Sequence, residues 1–293
     1  MRLPLFARSR SGIVGLTLLG FVLAVALLGP LFAPYSPSEP IGVPGSGPSS
    51  EALLGTDVLG RDVLSRTLYG GLSVLWLGTV TTLLVMIGGL VLGMAAGYLG
   101  SWIDTGVMRV LDVVLSFPAL LLILLLVTGL GASIPVLVLG VVAVQVPSVA
   151  RMVRSATQEV ATRGYIESAV ARGERTTMIL ARDVLPNIRS IVVADVGVRF
   201  GYTIILIASM NFLGLGLEPP AADWGLMVSE NRPVLGLNPL SVVAPAVLLA
   251  LITVAVNVVA DAYAQSRGGF DVVADDFIAA HPGPVKSDSL ATS

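Results

Sequence analysis

Long apolar runs separated by short polar stretches dominate the chain. No charge occurs from Ser11 to Ser38, from Thr67 to Ile103 or from Val113 to Ala150. A helix needs about 20 mostly apolar residues to cross the hydrocarbon core of a bilayer. The first run holds one span, Ile13 to Ala33, followed by Pro34 and Pro37. Its apolar stretch exceeds the roughly 7–15 residues of a signal-peptide core, so a retained span is expected. A second span is expected over Leu72–Gly97. The third run is interrupted between Thr128 and Pro135, where Gly129, Gly131 and Pro135 read as a turn. That division predicts a third span over Val107–Val127 and a fourth over Ile134–Ala150. A fifth is expected over Ile191–Phe212 and a sixth over Ser241–Ala260. Backbone amides in lipid must bond within their own segment, so the spans are helices and the fold class is an all-α integral membrane protein.

Composition agrees with the pattern. Of 293 residues, 55% are apolar without counting the 32 glycines, and 12% are charged, about half the proportion of a soluble domain. So few charges could not cover a soluble surface, and so many apolar residues exclude a disordered chain. A net charge of -2 argues against a nucleic-acid binder, which needs a basic face. Six spans put both termini on one side. The segments on that side carry 13 basic residues, seven of them between Arg151 and Arg189, against Arg61, Arg66 and Arg232 on the other. The excess predicts cytoplasmic termini. The tail from 266 to 293, acidic and proline-bearing, is expected to be disordered.

Several chemistries have no residues to perform them. There is no cysteine, the single lysine is Lys286, and the single histidine is His281. A phosphate-cradling loop needs a lysine after a glycine-rich turn, and helical zinc sites need paired histidines. No catalytic residue, metal site or cofactor is expected in this chain. Within the spans, Asp195 and Arg199 stand four apart on one helix face and can form a structural ion pair or line a polar path. Gly89, Gly93 and Gly97 recur every fourth residue, a stripe for close helix packing. A transporter acting alone could use Asp195 or Asp261 to carry a proton, which would explain the spans.

Two hydrophilic stretches are long enough to act. On the external side, Asp57–Arg61 and Asp62–Arg66 are i,i+4 pairs with the acid first, a spacing that supports a short helix. With Val63, Leu64 and Leu68 that helix would be amphipathic, lying at the interface or serving an external gate or a docking surface. On the cytoplasmic side, Gly164 to Asn187 reads as a short helix closed by Gly173. A second helix follows, capped by Thr176 or Thr177 and stopped at Pro186. From spacing alone this is a solvated basic loop or a docking elbow.

Glu167, Ala169, Gly173, Leu185 and Pro186 resemble, in type and spacing, the cytoplasmic loop of binding-protein-dependent ABC importer permeases. That loop reads Glu-Ala-Ala, three residues, Gly, nine residues, a hydrophobic residue, any residue, Leu-Pro. Ser168 replaces the first alanine, and Asp183 stands where the family has a hydrophobic residue or histidine. Leu54–Asp57 with Leu59–Gly71, and Asn211–Gly225, resemble the C-type permeases of oligopeptide, dipeptide and nickel importers. Ile207 departs from that branch, where an acidic residue is expected. The resemblance implies a type I ABC importer permease fold whose cytoplasmic coupling helix docks on an ATPase. It also implies a second homologous permease subunit, two nucleotide-binding ATPase subunits that hold ATP and Mg²⁺, and an extracytoplasmic substrate-binding protein. The expected organisation is an N-terminal region with the first span and external segment (1–71), a permease domain (72–265) and the tail. The expected function is half of a peptide translocation pore in the inner membrane.

Overall fold

In the computed structural model, residues 10–266 are described, and all regular structure among them is helical. Arg2, Arg8, Arg267, His281, Lys286 and the tail lie outside the described residues. Helix α1 spans Arg10–Phe32, α2 Val63–Leu99, α3 Ser101–Leu115, α4 Ala119–Leu130 and α5 Ile134–Ala161. The short α6 (Gly164–Ala171) and α7 (Thr176–Ile179) precede α8 (Leu185–Phe212), then α9 (Trp224–Glu230) and α10 (Leu240–Ser266). Five uninterrupted helices are long and apolar enough to cross a membrane: Ser11–Phe32, Val63–Leu99, Ile134–Ala161, Thr176–Phe212 and Leu240–Tyr263.

The expected third span is not one helix. α3 and α4 meet at 88°, so a sharply bent pair stands where one span was expected. The break is at Ser116-Phe117-Pro118, ahead of the turn that the glycines marked. Pro118 has no amide to donate, its ring would crowd the preceding turn, and it disfavours helix at Phe117. Expected boundaries also shift elsewhere. α2 begins nine residues before Leu72, because Asp62 caps it: the carboxylate accepts from the Ser65 amide at 2.8 Å and from Ser65 Oγ at 2.6 Å.

The centre of the bundle is the contact of α2 with α5. These helices run parallel, since Gly89 faces Val149, Gly93 faces Ala150 and Val153, and Gly97 faces Arg154 and Thr157. A side chain at Gly93 would lie 2.6 Å from the Ala150 carbonyl oxygen, and one at Gly97 2.8 Å from that of Arg154. In lipid the hydrophobic effect does not draw helices together, so close packing of small residues must do so. A polar link reinforces it: Gln145 Nε2 on α5 donates to Thr203 Oγ1 on α8 at 2.7 Å, and Thr82 Oγ1 on α2 lies 3.2 Å from the same atom. α1 crosses antiparallel to α2, and α10 returns antiparallel to α1, with Gly15 against Val258 and Val259. The described ends of α1 and α10 therefore lie at one end of the bundle. The C-terminal ends of α2 and α5 lie there too.

Gly93→Ala should destabilise the protein by about 1–3 kcal/mol, because backbone on the facing helix cannot yield. Gly106→Ala on α3, where nothing lies within 4 Å, should instead gain up to about 1 kcal/mol of helix propensity. Thermal unfolding of the two purified variants in detergent checks the opposite signs.

Candidate functional site

Two constellations occupy opposite ends of the bundle. At the end shared by the described termini, α6 and α7 form an elbow. α6 closes on Gly173, at φ +76, in a Schellman turn: the Gly173 amide donates to Val170 O at 2.9 Å and the Glu174 amide to Ala169 O at 3.2 Å. Glycine is favoured there because the left-handed conformation strains any residue with a Cβ. Glu167 and Ser168 are exposed, Ala169 is buried, Leu185 is half-buried and Pro186 is exposed. Ser168 Oγ donates back to Gly164 O, so the serine that replaces alanine satisfies itself within the helix.

The second helix departs from expectation at both ends. Arg175, not a threonine, is its N-cap residue, and its side chain makes no capping bond. Pro186 does not stop it. Thr176 to Phe212 runs as one helical rod because Leu180–Val184 widens into a π turn, with the Leu185 amide donating to Leu180 O. The wider turn makes room for the proline ring, which would otherwise crowd the carbonyl four residues back. The elbow is also packed, not merely tethered. Ile166, Ala169, Ile179 and Val184 are buried in one cluster with Val153 and Val160 of α5 and Ile188 of α8. Its outer face exposes Tyr165 and Val170 outside the spans, and Met178 on the first turn of the Thr176–Phe212 helix.

At the opposite end, the expected amphipathic helix over 57–66 is absent. Residues before Asp62 form turns, and the charges are buried instead of lying on an interface. Arg61 Nε meets Asp57 Oδ2 at 2.6 Å, as its spacing allowed, but Arg66 does not pair with Asp62. Arg66 Nη2 meets Glu230 of α9 at 2.7 Å and its Nε lies 3.4 Å from Asp57. Arg66 also donates to Pro37 O at 3.0 Å and to Ala221 O at 3.2 Å. The Asp57, Arg61 and Arg66 side chains are at most 3% exposed, so they offer no charged surface to a partner. Two arginines and two carboxylates make the group formally neutral, which burial requires.

Glu230 has no i,i+4 partner in the sequence, and the four charges at 57–66 already balance one another, so nothing there called for it. The segment Asn211–Gly225 is tied down by internal hydrogen bonds. Asn211 Nδ2 donates to Asp223 Oδ1 at 2.8 Å, Leu217 N donates to Asn211 Oδ1 at 2.9 Å, and Trp224 Nε1 donates to Thr67 O on α2 at 2.7 Å. Asp223 caps α9 through the Gly225 and Leu226 amides. Burial pushes its carboxyl above the ordinary range despite those donors. Within the spans, Asp195 and Arg199 pair at 2.9 Å. Asp261 is exposed near the elbow end.

The family model described as "Binding-protein-dependent transport system inner membrane component" matches residues 89–267. The "N-terminal TM domain of oligopeptide transport permease C" matches residues 5–42. The dipeptide transport system permease protein DppC of Alkalihalophilus pseudofirmus is 32% identical over 259 residues, covering 87% of this chain and 84% of that protein. The glutathione transport system permease protein GsiD of Pectobacterium atrosepticum is 38% identical over 215 residues, covering 73% and 71%. A chain of the MetNI methionine ABC transporter, in an inward-facing form, is similar at a TM-score of 0.45 and 20% identity over 64% of this chain and 93% of that one.

Arg66→Ala should lower stability by about 3–5 kcal/mol by leaving Asp57 and Glu230 buried against Arg61 alone, which lies 3.3 Å from Glu230, and joint replacement of Arg66 and Glu230 by Met should recover most of it. Thermal unfolding of the single and double variants separates these outcomes. The native Asp223 carboxyl keeps its proton to higher pH than the unfolded one, whose ordinary value is 3.8. The folded state then binds more protons just above that value, so its contribution to stability falls as pH rises through the window. Asp223→Asn should flatten this slope in unfolding measured against pH.

Proposed function

Because the chain belongs to the family of binding-protein-dependent transport system inner membrane components, we propose that it forms half of the translocation pore of an ATP-driven importer of peptides. A second, related permease subunit supplies the other half. Two ATPase subunits holding ATP and Mg²⁺ sit against the elbow, and an external binding protein delivers the cargo. The elbow end, with both chain termini, faces the cytoplasm, consistent with its excess of arginine. The peptide assignment rests on relatives named for dipeptide, peptide and glutathione transport.

The observation that carries this reading is the exposed outer face of the elbow, Tyr165 and Val170, backed by an inner face fixed in the core. Apolar groups held in water on a rigid support suit a contact with another protein. The rod from Thr176 to Phe212 transmits that contact across the bilayer without a joint. ATP-driven approach of the ATPases brings the two elbows together and opens the cavity outward, and hydrolysis returns it. Each ligand biases the two states only by its difference in affinity for them. Proton carriage by a solitary transporter finds less support, since Asp195 is held by Arg199.

Glu167→Lys or Gly173→Asp should abolish peptide uptake and the stimulation of ATP hydrolysis by the binding protein, while insertion into the membrane is unchanged. Uptake and hydrolysis in reconstituted vesicles check this, and normal uptake by both variants would refute the elbow's role.

A further inference from the structure

The turn between α4 and α5, residues 131–133, lies too deep to face lipid. The α4 helix has 12 residues and covers about 18 Å, well short of the roughly 30 Å of the hydrocarbon core. α3 adds little height. It stands at 88° to α4 and crosses α5 sideways, because its ion pairs, Asp104 with Arg154 and Asp112 with Arg151, are eight residues apart on α3 and three apart on α5.

Helix register gives the same depth independently. Gly71 meets Ala26 and Gly29 meets Leu68, while Gly89 meets Val149 and Gly88 meets Val146. Counting along α2 sets Ile134, the first residue of α5, level with the middle of α1. Helix α1 marks the limits of the bilayer, because Ser11 to Ser38 carries no charge and its 23 residues span about 35 Å. The turn, next to Ile134, therefore sits roughly 15 Å inside the external end of α1.

At that depth the backbone is bare. Residues 131 to 135 are exposed, Ser133 is extended and its side chain caps nothing, and no protein group accepts from the Ala132, Ser133 or Ile134 amides among the described residues. Irregular backbone at membrane depth is tolerated only against protein or a water-filled cavity. A dry protein contact would have to supply acceptors for every one of these amides, whereas water and a peptide supply them readily. Small or polar residues, Thr128, Gly129, Gly131 and Ser133, stand here beside the exposed Leu130 and Ile134.

We propose that the α4–α5 turn, Gly131 to Ser133, lines the aqueous path along which the cargo crosses. The inference rests on the permease reading and adds to it the stretch of this half that meets the substrate. The chain contains no cysteine, so a single introduced thiol is the only one on this subunit, and labelling is read on its separated band. Ser133→Cys, Ala132→Cys and the control Ala24→Cys, an exposed position on α1 at matching depth, are assembled with the partner subunits in vesicles. They are then treated with a charged, membrane-impermeant thiol reagent. The turn positions should react at least about tenfold faster than Ala24→Cys, because water reaches only them, and excess peptide cargo during turnover should slow the reaction. Labelling of both turn variants as slow as that of Ala24→Cys, with peptide uptake intact, would overturn the path-lining role and leave the importer reading standing. Failure of the cysteine-free parent to take up peptide would strike the importer reading instead.

Discussion

The approach of α2 to α5 governs the rest of the molecule. Nothing in a hydrocarbon solvent draws two apolar helices together except the closeness of their surfaces. Gly89, Gly93 and Gly97 remove the side chains that would hold the backbones apart. Because the pair is parallel, the elbow after α5 emerges beside the C-terminal end of α2. The first turns of α2, with Arg66, emerge at the other end. A change of register by one glycine would displace both constellations together.

The elbow and the buried charge cluster solve different problems. The elbow is packed on its inner face and open on its outer one. Its inner residues are shared with α5 and α8, while its outer apolar residues are left in water. The π turn lets Pro186 sit inside a helix that runs from Thr176 to Phe212. The charge cluster closes the opposite end. Arg66 joins the segment before α2, the loop after α8 and α9 through Pro37, Ala221 and Glu230, with Arg61 also on Glu230. A neutral, hydrogen-bonded group of this kind adds little net stability relative to an apolar one, yet losing one member is severe. That asymmetry suits a fastening that has to keep one geometry while the bundle moves.

Much was legible in the residues. Charge-free runs located five crossings, because lipid permits only self-satisfied helices. The small-residue stripe marked the closest helix pair, and the spacing of Glu167, Gly173 and Pro186 marked the elbow, because the Schellman turn favours glycine at its left-handed position. Asp195 and Arg199 pair as their separation allowed. Local spacing misled at 57–66, where a helical pairing is satisfied in a loop for Asp57 and Arg61 and not at all for Asp62 and Arg66. The same holds at Pro186, where a helix breaker is absorbed by one widened turn.

The sequence by itself determined what must lie in lipid, where the chain can turn, and that this chain carries no cysteine or Walker-type phosphate loop, since each follows from residue type and short-range spacing. Only the tertiary structure decided which charge neutralises which, and that α3 and α4 meet at 88° where one straight span was expected. Glu230 stands 164 residues from Arg66. Partners so far apart are chosen by the stacking of whole helices, which no local pattern of residues encodes.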